Sequence, residues 1–246
     1  MNEAMTLQLI DLSLGSPQEN LALDEALLLE AESAAAEGQE VGYLRFWESA
    51  AHFVVLGVSR GIEKDAERER CRDDGVPVLR RASGGGTVLQ GPGCLNFTLV
   101  LPLGYAAGLG DINQSYRAIL DPCAEALGLD GTSMLGSCDL ALGDRKFSGS
   151  AQKRSRYCLM HQATLLYDFD LELIPLYLRH PDKQPDYRQQ RGHLDFVTNL
   201  PLDSAALRER ISGAWNTVAV KENWKAPGLE QLLEEKYCNR EWTERF

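Results

Sequence analysis

A chain of 246 residues with a net charge of −11 is long enough for one large domain or two small ones, and too acidic to be built for gripping nucleic acid. Hydrophobic content of 44% and charged content of 25% are globular values, and no apolar run approaches the ~18 residues of a membrane span. The start lacks the pattern of a secretion signal. The six cysteines (Cys71, Cys94, Cys123, Cys138, Cys158 and Cys238) form no Cys-x-x-Cys pair or metal-ligand spacing, and read as reduced thiols of a cytoplasmic protein.

Ser16-Pro17-Gln18-Glu19 is a capping box with proline at the first helical position, and predicts a helix to about residue 36, ended by Gly38. Leu21, Leu28, Ala22 and Ala26 are its candidates for burial, and Asp24-Glu25 reads as its polar face. Strands are predicted at 43–47 and 53–56, divided by the polar break Glu48-Ser49-Ala50-Ala51. The charged stretch 63–74 predicts one solvated helix closed by Gly75, followed by a short strand at 76–79. A strand at 96–101 stops at Pro102, and Asp111 caps a helix to about Leu127. Strands at 139–142 and 157–167 flank the segment 143–156, the stretch 180–192 reads as loop, and helices are predicted from Leu202 and again from Ala226. Interleaved helices and strands, with two neighbouring strands near the start, imply a mixed sheet.

Two segments carry the chemistry. Arg80-Arg81-Ala82-Ser83-Gly84-Gly85-Gly86-Thr87 leads two guanidinium groups into three glycines, ahead of Val88-Leu89 and the turn Gly91-Pro92-Gly93. Consecutive glycines cost backbone entropy but present N–H groups that a ligand can approach closely, and with two arginines the natural ligand is an anion such as phosphate. Further on, Lys146 stands in Gly143-Asp144-Arg145-Lys146-Phe147-Ser148-Gly149-Ser150-Ala151-Gln152, where its ammonium could enter a pocket and stabilise negative charge on an acyl or phosphoryl oxygen. From 145 to 156 there are five basic residues and no acidic one.

Each signal has an ordinary counterpart. Glycine triplets are often surface loops, paired arginines usually meet carboxylates, and a single lysine is usually solvated. His161 in an apolar strand reads as a hydrogen-bonded core histidine, and His52 and His193 take the same default. Cys94 and Cys138 read as small buried fillers.

The combination resembles the lipoate–protein ligase and octanoyltransferase superfamily. Arg-Arg-x-Ser-Gly-Gly-Gly-x-Val is followed some sixty residues later by Arg-Lys-x-Ser-Gly-Ser-Ala. Asn20-Leu21-Ala22-Leu23-Asp24-Glu25-Ala26, Leu95-Asn96-Phe97-Thr98, His161-Gln162-Ala163-Thr164-Leu165-Leu166, Pro181-Asp182-Lys183 and Val197-Thr198-Asn199-Leu200 agree in order.

The resemblance implies an α/β (α+β) fold with a mixed, largely antiparallel sheet flanked by helices, like the biotin/lipoate protein ligase (class II synthetase-like) catalytic domain. It implies one catalytic domain over 1–246 with no C-terminal accessory domain. The implied enzyme joins lipoate to ATP as lipoyl-AMP with Mg²⁺ and passes the lipoyl group to a lysine of lipoyl domains of 2-oxoacid dehydrogenases or of carriers like the glycine cleavage H protein. In this mapping Arg81 and Gly86-Thr87-Val88-Leu89 hold the nucleotide, joined by Asp139 near the Mg²⁺. Lys146 is the catalytic residue at both the acyl carbonyl and the α-phosphate. Arg80, Ser83, Gly84, Gly85 and His161 line the acyl site, and no metal is held by the protein itself.

Three positions depart from the ligase pattern: Gln90-Gly91 in place of His-Asp, Cys138 in place of Asn before Asp139, and Gln162-Ala163 in place of His-Gly. The tail after Leu200 is long enough only for the catalytic domain's own last helices, so full ligation is expected to call on a separately encoded small subunit. An octanoyltransferase using a cysteine thioester without ATP is the alternative, with Cys138 as nucleophile. A non-catalytic carrier-binding homologue is a third reading, and a biotin ligase ranks low because its Gly-Arg-Gly-Arg loop is absent. An acidic carrier domain would need a local basic surface, and Lys153, Arg154 and Arg156 are the expected patch.

Overall fold

A computed structural model describes residues 5–220 and 228–246. In chain order the elements are β1 (Leu7–Asp11), α1 (Pro17–Ala36), β2 (Tyr43–Trp47), β3 (Phe53–Leu56), α2 (Ile62–Asp65), α3 (Arg68–Asp73), β4 (Val78–Arg80), β5 (Val88–Gln90) and β6 (Cys94–Pro102). They continue with α4 (Ile112–Leu127), β7 (Thr132–Leu135), β8 (Asp139–Leu142), β9 (Arg145–Arg154), β10 (Cys158–Leu166), α5 (Ile174–Tyr177), α6 (His193–Phe196), α7 (Ser204–Gly213), β11 (Thr217–Ala219), α8 (Leu229–Leu232) and α9 (Arg240–Glu244). The predicted start at Ala226 lies outside the described residues.

An eight-stranded sheet runs β11-β1-β2-β6-β10-β9-β8-β7, and a three-stranded sheet runs β4-β3-β5. Strand β1 is parallel to both its neighbours, while every pairing from β2 to β7 is antiparallel. The large sheet is therefore mixed and mostly antiparallel, as expected. Among the described residues no helix is long and apolar enough to cross a membrane.

The period-2 alternation of β6 divides the core. Phe97, Leu99 and Leu101 pack with Ile119, Leu120 and Leu207 beneath α4 and α7. Val100 points the other way, to Leu23, Leu27 and Ala31 of α1. The capping box of α1 forms as predicted: Glu19 N donates to Ser16 Oγ (3.2 Å), and Ser16 N donates to Glu19 Oε2 (2.7 Å).

Three expectations about local structure change. Residues 63–74 form two short helices, because Ala66 is drawn into an extended bridge with Leu178 and Glu67 N donates to Tyr177 O. The segment taken to lie between strands is itself the ten-residue strand β9, where pairing on both sides overrides the weak strand propensity of its glycine, serines and lysines. Asp24 and Glu25 are buried against the sheet. Asp24 accepts from Arg45 Nη1 (2.6 Å), Gln162 Nε2 (2.7 Å) and Thr98 Oγ1 (2.8 Å). Glu25 accepts from Lys153, from Lys236 Nζ (2.7 Å) and from Tyr237 Oη (2.7 Å). This face of α1 is polar because its partners are polar too.

Strand register sets up the site. Trp47 pairs with Asn96, Asn96 with Thr164, and Gly149 with Asp139, while Gly149 N donates to Thr164 Oγ1 (3.4 Å). One row of side chains thus crosses five strands, about 19 Å at ordinary strand spacing. Thr98, Gln162 and Ala151 form the adjoining row.

Candidate active site

A cavity of about 560 Å³ lies over these rows, covered on one side by the glycine loop and on another by the segment from Leu178 to Arg188. The loop is seated by close backbone approaches. Gly84 N donates to Gln152 O (3.2 Å), extending the edge of β9, and Val58 N donates to Ser83 O (2.9 Å). Gly85 has φ +84°, and a Cβ on Gly57 would sit 2.2 Å from Gly85 O, so the approach requires glycine at both positions. Nothing lies within 4 Å of a Cβ built on Gly86, which leaves open space beside the loop.

Lys146 is aimed by a bulge between Leu140 and Ala141 where β8 meets β9. Its Nζ pairs with Asp139 Oδ1 at 2.6 Å, and Tyr187 Oη donates to Asp139 Oδ2 at 2.8 Å. A Cβ on Gly149 would lie 2.9 Å from Lys146 Nζ, so the glycine makes room for the ammonium over the strand. The lysine side chain remains 24% exposed and opens onto the cavity. Burial, with Asp139 and its hydrogen bond next, raises the Tyr187 phenol far above its ordinary range, so it stays a donor.

Arg81, Gly85, Gly86 and Thr87 line the cavity, as do Val88 and Leu89. Cys138, Asp139 and Lys146 line it from the sheet side. Four predicted residues point elsewhere. Arg80 is buried, and its guanidinium donates to the carbonyls of Gly57 (3.0 Å), Arg60 (2.6 Å) and Thr243 (2.7 Å), tying the C-terminal segment to β4. Gly84 is spent on β9, and Ser83 lies beneath the loop, donating to Gln162 Oε1 (2.6 Å). His161 faces α4, stacked on Phe97 (6.1 Å) and edge-on to Tyr116 (5.7 Å), and burial lowers its pKa to about 3. Strand alternation puts Gln162, the next residue, at the cavity instead.

Arg81 departs from its expected role. Its guanidinium donates to Ser83 Oγ (3.0 Å), Gly84 O (2.5 Å), Gly86 O (2.8 Å) and Val55 O (3.4 Å), so most of its donors shape its own loop. Burial lowers its pKa to about 10.

Sequence reasoning missed Trp47, Gln90, Arg60, Asp65 and Tyr187. Trp47 and Gln90 line the cavity, and Trp47 Nε1 and Gln90 Oε1 are buried without a hydrogen-bond partner among the described residues. Trp47 could have been found from its strand register opposite Asn96; Tyr187 had no local signal. The Cys138 thiol is raised by burial and then by Asp139, which outweigh the lowering by Lys146. The expected basic patch is largely consumed inside the protein: Lys153 pairs with Glu25, and Arg154 donates to Leu109 O and Ser115 Oγ.

The sequence matches the lipoyl protein ligase A/B catalytic domain over residues 16–209, a span that holds the glycine loop, Lys146 and the covering segment. The chain belongs to this family. It is 34% identical over 222 residues to an Aeropyrum pernix protein named for lipoate-protein ligase A, covering 90% of this chain and 74% of that one. It is 23% identical to the octanoyltransferase LipM of Moorella thermoacetica over 98% of this chain and 99% of the relative. The fold matches that of a bi-partite lipoate protein ligase from Thermoplasma acidophilum, studied with its E2 lipoyl domain, with a TM-score of 0.80, 22% identity, and coverage of 98% and 96% of the two chains. The chain is an enzyme of the lipoate–protein ligase type.

Proposed function

We propose that this enzyme condenses lipoate with ATP to form lipoyl-AMP and then transfers the lipoyl group to a lysine of a lipoyl domain. The observation that carries the reading is the Lys146–Asp139 pair, held over Gly149 and facing the same cavity as the glycine loop. In the first step a carboxylate oxygen of lipoate attacks the α-phosphorus and pyrophosphate leaves. In the second, the acceptor amine attacks the acyl carbonyl, AMP leaves, and the amine proton passes to solvent. Both steps build negative charge on oxygens, and a preorganised ammonium between carbonyl and α-phosphate stabilises it. From Gly149 on β9 to Trp47 on β2 is three strand spacings, about 14 Å, enough for an extended lipoyl chain between the two ends.

Among the described residues no three His, Cys, Asp or Glu side chains gather as a metal cage, and both Asp139 oxygens are engaged. These side chains fit a Mg²⁺ that arrives on the nucleotide phosphates, with Asp139 at the cavity as the carboxylate that would hold it, and the ion would neutralise phosphate charge. The acceptors in this reading are lipoyl domains of 2-oxoacid dehydrogenases or H-protein-like carriers in the cytoplasm. The bi-partite archaeal relative supports a separate small subunit for full transfer by one catalytic domain.

An ATP-independent octanoyltransferase is the second reading, favoured by the LipM likeness and by Cys138 at the cavity. A thiol raised by burial and by Asp139 is a poor nucleophile at neutral pH, which weighs against it. The test is to incubate the protein with an apo lipoyl domain and either lipoate with Mg-ATP or octanoyl-acyl carrier protein without ATP, and to weigh the acceptor. A mass gain in the first mixture is expected. Gain only in the second would replace the ligase reading, and adenylate without transfer would point to the missing subunit.

A further inference from the structure

We propose that Arg60 is a nucleotide-binding residue that grips the outer phosphates of ATP, held in place by Asp65 and Thr87. The assignment rests on the adenylation reading and adds a site residue to it.

The cavity that contains Lys146 is also lined by Arg60, Asp65 and Thr87. Arg60 donates to the Asp65 carboxylate through two nitrogens, Nε (2.6 Å to Oδ2) and Nη2. Thr87 of the glycine loop donates to the same carboxylate. Asp65 is itself fixed at the backbone, its carbonyl accepting from Arg179 N at 3.0 Å. The Arg60 carbonyl accepts from buried Arg80 at 2.6 Å. Side chain and backbone of Arg60 are therefore both anchored, and the planar guanidinium is pre-oriented as a fork.

What remains of that fork is available. Arg60 Nη1 makes no hydrogen bond among the described residues, and the side chain is 28% exposed against 6% for Asp65. Arg81, the guanidinium singled out by sequence, is in the opposite condition, buried and committed to Gly84 and Gly86. The loop thus has one arginine that shapes it from within and another that stands beside Thr87 with donors to spare. Burial works to raise the Asp65 carboxyl, but Arg60 and Thr87 outweigh it and hold it below its ordinary range, so the anchor stays ionised.

The position along the nucleotide follows from what each group lining the cavity offers. Lys146, above Gly149 and beside Asp139, is the group at which acyl carbonyl and α-phosphate meet in the adenylation reading. The open space beside Gly86 lies on the glycine loop next to Thr87, which carries the contact to Asp65 and Arg60. The β- and γ-phosphates, which leave as pyrophosphate, fall to Arg60. A charge-assisted fork there stabilises both the bound triphosphate and its departure.

The test compares ATP and AMP affinities of the full-length protein by titration calorimetry, for wild type, Arg60→Met and Arg60→Gln, with thermal melting as a check on folding. Both variants are expected to lose about tenfold or more in ATP affinity while AMP affinity stays within about twofold. In turnover the KM for ATP rises and the KM for lipoate does not. Equal loss of ATP and AMP binding, or unchanged ATP binding in either folded variant, would overturn the assignment alone. A wild-type protein that binds no ATP would overturn the adenylation reading along with it.

Discussion

Strand β9 carries two lysines that each pair with a carboxylate, and they do different work. Lys153 meets Glu25, which is also bound by Lys236 and Tyr237 of the C-terminal segment. Burial works to raise the Glu25 carboxyl, and the two lysines outweigh it and hold it below its ordinary range. Glu25 thus accepts from three donors, and the cluster clasps the C-terminal segment to α1. Lys146 has Asp139 as its one ion-pair partner among the described residues and faces open cavity. The same two chemical groups make a clasp where three donors converge on a buried carboxylate and, in the proposed reading, a reactive site where the ammonium faces open cavity.

That contrast can be broken at either lysine's partner. Glu25→Ala leaves two half-buried ammonium groups without their carboxylate and should cost about 3–5 kcal/mol in urea unfolding, with faster proteolysis of the C-terminal segment. A loss below about 1 kcal/mol would mean the cluster is not a clasp. Lys146→Ala should lower adenylate formation by about 10²–10³-fold with little change in melting temperature. A melting loss comparable to that of Glu25→Ala would erase the distinction between the two pairs.

A pH series sharpens it from the other face of the sheet. His161 has a folded pKa of about 3 against an ordinary value near 6.5, so below pH 6.5 the unfolded chain takes up a proton that the folded one refuses. Its contribution is whole above pH 6.5 and is lost as pH falls toward 3, at up to about 1.4 kcal/mol per pH unit. Between pH 7 and 5 the wild type should lose about 2 kcal/mol that His161→Gln keeps, read as the difference in urea midpoints. Equal slopes would show that the imidazole does not stay neutral in the core. The smallest effect is expected at Tyr187→Phe, which removes the donor holding Asp139 and should slow adenylation about fivefold, about 1 kcal/mol, while stability holds. Full activity in that variant would make the tyrosine a bystander.

What the sequence disclosed follows the same line between local and distant causes. The capping box, the glycine loop and the strand of His161 are written in neighbouring residues, and each forms where expected. Strand β9 was hidden because pairing with β8 and β10, not its own propensity, makes it a strand. Asp24 and Glu25 looked solvated because Arg45, Lys153 and Lys236, which neutralise them, lie far along the chain. The assignments of Arg80 and His161 to the acyl site missed side-chain direction: one reaches Thr243 at the C-terminus and the other turns under the sheet. Arg60 and Tyr187 sit in stretches without a motif, and only the fold brings them beside Thr87 and Asp139.

In the proposed reading the Lys146 cavity forms an acyl adenylate. The most direct measurement is lipoate-dependent exchange of labelled pyrophosphate into ATP, without any acceptor domain. Exchange by the wild type that requires lipoate and disappears in Lys146→Ala is the predicted result. No exchange by a wild-type protein that still transfers octanoyl groups from a carrier thioester would contradict it.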